Sequence, residues 1–244
     1  MNTTIPLAMP HPPIRNPRLQ DRDYDILQHV LRYRLSTPEI LHRLFFQDSD
    51  RNAVTKVTSK LCVSQFLLSH QLYAGYTYFT LGRRGAKVVG MSRCKTGPLG
   101  PQALYREYGT LAFCCRSEMP RERLRTAEIM RRHPEYISGR LDAGHYYLDE
   151  HESIVRLGYI WVEGAGEINH IVRTVQDAII EQRRSVPALR QLIEEGRFVV
   201  SVVTLNDDKK TEIQRALNGL ATTVFFRVEV VSELIHLLPS VWHE

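Results

Sequence analysis

Residues 198–203 read FVVSVV. A strand that is apolar on both of its alternating faces needs cover on both sides and neighbours along its edges. The sequence around it supplies those neighbours. RLDAGHYYLDE (140–150) and SIVRLGYIWVEG (153–164) are strand-like and join across Glu150-His151-Glu152. A helix of about Ala165 to Arg184 follows, with Ile168, Ile171, Val172, Val175, Ile179 and Ile180 turned inward. A shorter helix covers Val186 to Glu195. After the apolar run come NDDKKTEIQRALNG, a helix capped by Asn206 or Asp207, and TTVFFRVEVV, another strand. The order β-β-α-α-β-α-β predicts a mixed sheet with helices on its faces over 136–244.

The first third of the chain is patterned differently. From Asp21 to Tyr33, residues Tyr24, Ile26, Leu27, Val30 and Leu31, with Leu35 beyond, make one helical stripe. Asp21 and Asp23 occupy its first turn, where the helix dipole favours anions. STPEILHRLFF starts a second helix. Ser36 and Glu39 fit a capping box, Pro38 suits the first turn, and Ile40, Leu41, Leu44 and Phe45 are its expected buried face. SDRNAVTKVTSKLCV is a third, starting near Ser49 or Asp50, with Val54, Val57 and Leu61 inward. Two strands follow, about Phe66–Leu72 and Tyr76–Thr80, turning at Ala74-Gly75. Three short helices and a hairpin are the order of a winged helix-turn-helix, expected over 21–92. A lead-in over 1–20, broken by Pro6, Pro10, Pro12, Pro13 and Pro17, is extended or disordered.

Charge divides the chain in the same place. Residues 1–95 balance at +8, 96–135 at +2 and 136–244 at −5, within a net charge of +5. A basic first part suits a polyanion, and an acidic last part does not. On the third helix, Asn52, Thr55, Lys56 and Ser59 fall opposite the apolar side, with Arg51 and Lys60 on the flanks. Amide, hydroxyl and ammonium groups without a carboxylate suit phosphates and base edges, although a plain exposed helix has the same composition. After the hairpin, YFTLGRRGAKVV places Arg83, Arg84 and Lys87 where a further helix begins. Gly82 and Gly85 there allow close approach of chain to chain, or of chain to phosphate.

The stretch RDYDILQHVLRYRLSTPEILHRLFF, Arg22 to Phe46, together with FTLGRRG at 79–85, resembles the plasmid replication-relaxation family. The likeness covers roughly residues 22–90. Phe79 stands where that family usually has Tyr, and Gly82 where it usually has Thr. The resemblance implies a DNA-binding winged helix serving plasmid or mobile-element replication, transfer or transcription control.

Residues 93–135 are expected as a linker and connecting helices. In ALYREYGTLAFCCRSE, the face of Leu104, Tyr108, Leu111, Ala112 and Cys115 is core or a dimer interface. In PRERLRTAEIMRRHPEY, Arg121, Arg123, Arg125, Arg131 and Arg132 either add phosphate contacts or form a solvated helix face. The C-terminal order resembles restriction-endonuclease-like folds. That resemblance implies a metal-binding carboxylate set, which here would be Asp142, Glu163 and Glu167. The triplet at the second position is Glu163-Gly164-Ala165, so its lysine is missing, and the resemblance implies a degenerate nuclease domain.

The remaining motifs are bland. Cys62, Cys94, Cys114 and Cys115 make no CxxC pair and read as reduced thiols; the ten histidines form no HxH or HExxH pair. No phosphate-binding glycine motif is present, and no apolar run approaches the ~18 residues of a membrane span. These features predict a cytoplasmic protein without cofactor or membrane attachment. It would bind double-stranded DNA sequence-specifically and regulate transcription or replication, as a homodimer reading a duplicated half-site. The alternatives are a metal-dependent endonuclease and an adaptor that binds a protein through its C-terminal sheet.

Overall fold

A computed structural model describes residues 19–91, 96–119, 121–132, 134, 145–151, 154–163, 166–220 and 222–238. The first helices are α1 (Asp21–Tyr33), α2 (Pro38–Phe45) and α3 (Arg51–Val63). A hairpin of β1 (Leu67–Tyr73) and β2 (Tyr76–Leu81) follows, then the short α4 (Arg83–Val88). Ile26, Leu27, Val30, Leu41, Val54 and Leu61 pack into one core beneath the hairpin's Leu67 and Leu81. The hairpin turns at Gly75, whose φ of +78° is the left-handed conformation a tight turn needs.

Two local expectations change. Thr37, not Ser36, caps α2, its hydroxyl accepting from the Ile40 N–H at 3.3 Å. Ser36 instead pairs its backbone with Phe79 of β2, at 3.0 and 2.8 Å, and so joins α1 to the hairpin. Leu44 is not part of a buried face but 40% exposed.

The rest of the chain is α5 (Pro101–Cys115), β3 (Arg121–Arg123), α6 (Thr126–Arg132), β4 (Tyr146–His151), β5 (Ile154–Val162), α7 (Ile168–Ser185), α8 (Pro187–Glu194), β6 (Phe198–Thr204), α9 (Asp207–Asn218), β7 (Phe225–Val230) and a 3₁₀ turn (Ser232–Leu237). The five strands form one mixed sheet in the order β3-β4-β5-β6-β7, antiparallel up to β5 and parallel from β5 to β7. Every residue of β6 is buried, as its double-sided apolar pattern demands. Ile171, Val175, Ile179, Leu189 and Ile213 of the helices cover one face. Ile180 does not join them and is 41% exposed. Tyr105, Tyr108, Leu111 and Ala112 of α5 cover the other face.

That helix is also where the two parts of the chain meet. α5 is buried almost all round from Tyr105 to Cys115, and its core cluster includes Tyr33, Leu35, Ile40, Leu72 and Tyr78 from the N-terminal part. Arginines then tie the parts together. Arg34 reaches Glu107 of α5 at 2.9 Å, Arg123 pairs with the same carboxylate, and Arg32 donates to the Arg123 carbonyl at 2.7 Å. Arg116 holds Glu39 of α2 at 3.1 Å and Glu233 of the 3₁₀ turn at 2.6 Å.

The segment expected as an arginine-rich helix is therefore corrected. Its first residues form strand β3, and Arg121 and Arg123 are buried ion-pair partners rather than phosphate contacts or a solvated face. Among the described residues of that segment, α6 is the α-helical part. The far end of the hairpin is committed as well. Tyr73 lies 4.4 Å from Tyr76 and 5.0 Å from His236 of the 3₁₀ turn, centroid to centroid.

Candidate nucleic-acid interface

Helix α3 starts where Asp50 accepts the Asn52 N–H at 2.8 Å, a cap that leaves the rest of the helix free to follow its pattern. Val54, Thr58 and Leu61 are buried. Thr58 is tolerated there because its hydroxyl donates to the Val54 carbonyl at 2.8 Å. Burying that side turns Arg51, Asn52, Thr55, Lys56, Ser59 and Lys60 outward, and all six are exposed. Two of them also have structural partners. The Asn52 amide donates to Asp50 at 3.1 Å, and the Lys60 ammonium lies 3.6 Å from the buried Asp23 carboxylate of α1.

The second cation group sits at the hairpin's base. Arg83, Arg84 and Lys87 of α4 are exposed. The sequence left open whether Gly82 and Gly85 approach chain or phosphate; they approach chain. A Cβ on Gly82 would collide with the Gln65 carbonyl, and one on Gly85 with the Phe66 carbonyl. This contact locks α4 against the turn that ends α3, where Gln65 takes a φ of +58°. Arg84 is further held by the Ser64 carbonyl at 3.2 Å and by the Phe66 ring, 4.6 Å from its guanidinium carbon. The α3 stripe and the α4 cations are thus parts of one rigid knot.

Electrostatics favour anions across this knot. From Arg51 to Met91 the chain contains Arg51, Lys56, Lys60, Arg83, Arg84 and Lys87 and no Asp or Glu at all. One residue of the stripe escaped the sequence reading. Val63, 86% exposed, continues the line of Lys56 and Ser59 one turn on. Its signal was the hydrophobic pattern itself, because Val63 lies off the line of Val54 and Leu61. Asp23, placed in the first turn of α1 where the helix dipole favours it, is buried and also holds Lys60.

Two of the three carboxylates that the nuclease resemblance implies lie within the described residues. Asp142 lies outside the described residues. Glu163 is buried, and its carboxylate accepts from the Trp161 indole at 3.3 Å and the Gly166 N–H at 3.0 Å. Its backbone carbonyl accepts from the Tyr105 hydroxyl. Glu167 is exposed. Among the described residues no cluster of three His, Cys, Asp or Glu side chains could hold a metal ion. No described helix is long and apolar enough to cross a membrane. No protein-family model matches the chain, and no curated protein matches it.

Proposed function

We propose that the chain is a sequence-specific double-stranded DNA-binding regulator of transcription or of plasmid or mobile-element replication. The first three helices and the hairpin act as a winged helix-turn-helix, and the five-stranded unit is a degenerate nuclease-like domain. The observation that carries this reading is the exposed cation set of α3 and α4, six cations and no Asp or Glu over the 41 residues from Arg51 to Met91, with α4 fixed to the end of α3 by glycine packing. Duplex DNA is the polyanion whose groove admits a helix of this width.

Lys56, Thr55 and Ser59 meet base edges and nearby phosphates, and the exposed Val63 suits a thymine methyl group. Arg51, Arg83, Arg84 and Lys87 hold the backbone on either side. Asn52 and Lys60 contribute less to reading, because Asp50 and Asp23 already occupy them. The hairpin contributes through its base; its tip is engaged by His236 and the 3₁₀ turn.

Fluorescence anisotropy on duplex DNA tests this. Lys56→Ala in the full chain is expected to weaken binding by ~1 kcal/mol or more and to lower the slope of log affinity against log salt by about one. An unchanged slope removes Lys56 from the interface.

A further inference from the structure

Where the two parts of the chain meet there is a cavity of about 580 Å³, a volume within the range of small-molecule sites. Its walls come from α1, the end of α2, the end of α5 and β3, and every residue that lines it is described.

One wall is aromatic and continuous. The Phe45 ring stands edge-on to His29 with centroids 5.7 Å apart, and His29 lies 4.9 Å from Tyr33. Leu44, whose exposure the packing of α2 leaves unexplained, adds apolar surface to the same lining. Beside Tyr33, burial pushes the Cys115 thiol up to about 12 against the opposing pull of the Tyr33 hydroxyl and the Arg43 guanidinium, so that part of the lining is neutral.

The charges of the lining are unevenly used. Arg32 is held by Glu122 at 2.7 Å and Glu128 at 3.3 Å, and Arg121 by Glu229 at 2.6 Å. Arg43 is different. Its guanidinium donates to the Ser117 carbonyl at 3.3 Å and has no carboxylate partner among the described residues. That bond sets Arg43 against the residue next to Glu118, which lines the same cavity and has no cation partner among the described residues. The other unmatched carboxylate, Asp25, lies two turns before Tyr33, ~12 Å along α1.

An unmatched guanidinium and an unmatched carboxylate thus share a cavity with an aromatic wall. A simple anion would satisfy Arg43 and face Glu118 with a like charge, and a simple cation would do the reverse. A zwitterion satisfies both through charge-assisted hydrogen bonds. An α-amino acid carries the two charges on one carbon, and an aromatic side chain is the partner that the ring wall suits.

We infer that this cavity binds a free aromatic α-amino acid, with Arg43 donating to its carboxylate, Glu118 accepting from its ammonium, and Phe45, His29 and Tyr33 packing against its ring. The inference does not depend on the reading of α3 and α4. Because the walls belong to both parts of the chain, the bound molecule touches both.

Isothermal titration calorimetry of the full chain with L-phenylalanine, L-tyrosine and L-tryptophan tests this, with 3-phenylpropanoate and phenethylamine as analogues that each lack one charge. At least one of the amino acids is expected to bind at a single site and to raise the thermal unfolding midpoint as its concentration rises. Each analogue is expected to bind about tenfold more weakly or worse. Arg43→Gln and Glu118→Gln change exposed side chains and are expected to leave the circular-dichroism spectrum unchanged. Each should weaken amino-acid binding by about tenfold or more. Arg43→Gln should also narrow the preference over phenethylamine, and Glu118→Gln the preference over 3-phenylpropanoate, which a loss of fold would not do selectively. No binding and no midpoint shift with any of the three amino acids at millimolar concentration would overturn the inference. So would an analogue that binds as tightly as the amino acids, or affinity unchanged by both variants.

Discussion

Arg121 on the first strand of the sheet and Glu229 on the last form a two-pronged ion pair, at 2.6 and 2.9 Å, with three strands between them. Four spacings of about 4.8 Å would set these edges ~19 Å apart in a flat sheet, beyond the combined reach of the two side chains. The sheet is therefore curled, and a charge network lines its concave side. Arg227 grips the fully buried Asp149 at 3.0 Å through both prongs, and Arg121 Nε lies 3.5 Å from the same carboxylate. The Tyr147 hydroxyl crosses Gly158, where any Cβ would strike its ring, to meet Ser201 on β6 at 2.7 Å. Arg121→Ala leaves Glu229 and Asp149 with Arg227 as their shared partner, at 3.9 and 3.0 Å, and is expected to cost about 2–3 kcal/mol in urea unfolding. Glu229→Gln should cost less, since a third of the Glu229 side chain reaches water. A midpoint unchanged by Arg121→Ala would show that the pair does not hold the curl.

Gly85 lies against the Phe66 carbonyl with no room for a Cβ, and the obstruction is backbone that cannot swing aside. Gly85→Ala is expected to destabilise the fold by ~2 kcal/mol or more, the size associated with overpacking. Gly90→Ala meets no neighbouring atom and carries only the strain of its φ of +78°, about 1 kcal/mol. Thermal unfolding of both variants checks the ordering. Equal losses would mean that α4 is not anchored through Gly85.

His29 supplies a pH dependence. Burial, and after it the Arg32 guanidinium, hold the imidazole down to about 3 against an ordinary 6.5, while Ser36 shares a 3.0 Å hydrogen bond with it. The unfolded chain takes up the proton near 6.5 and the folded chain does not. Stability contributed by the neutral ring is complete above 6.5 and falls as pH drops below it, by at most ~1.4 kcal/mol per pH unit. His29→Gln removes this component. Denaturant titrations from pH 7.5 to 5 should show the wild type losing stability relative to the variant. A constant difference between them would contradict the account.

Glu163 spends its carboxylate on the Trp161 indole and the Gly166 N–H, which ties the end of β5 to Gly166. Incubation with supercoiled plasmid and Mg²⁺ or Mn²⁺ is therefore expected to leave the plasmid intact. Glu163→Gln is expected to lower the unfolding midpoint. Cleavage that disappears with Glu163→Gln or Asp142→Ala would reverse this assignment.

Periodicity made much of the fold legible. The thirteen residues of α1 were bounded correctly from their stripe, and the ββααβαβ order emerged from where period two gives way to a helical period. What stayed hidden depended on distant partners. Arg121 and Arg123 look like solvent-facing cations until Glu229, 108 residues on from Arg121, and Glu107, on a different element, are placed beside them. A residue buried by tertiary contact carries no local period, so β3 and the all-round burial of α5 had no signal. The α3 stripe was legible because helix geometry alone turns Lys56 away from Val54. Its coupling to α4 was not, since it rests on backbone meeting backbone at Gly82 and Gly85.

The salt dependence of duplex binding by the intact chain tests the central claim most directly. Anisotropy across a range of KCl concentrations should give a linear fall of log affinity with log salt. Replacing Arg51, Lys56, Arg83 and Lys87 together by alanine should flatten that slope by about three to four without changing the circular-dichroism spectrum. Duplex binding that ignores salt, or a slope that survives the loss of all four cations, would contradict the account.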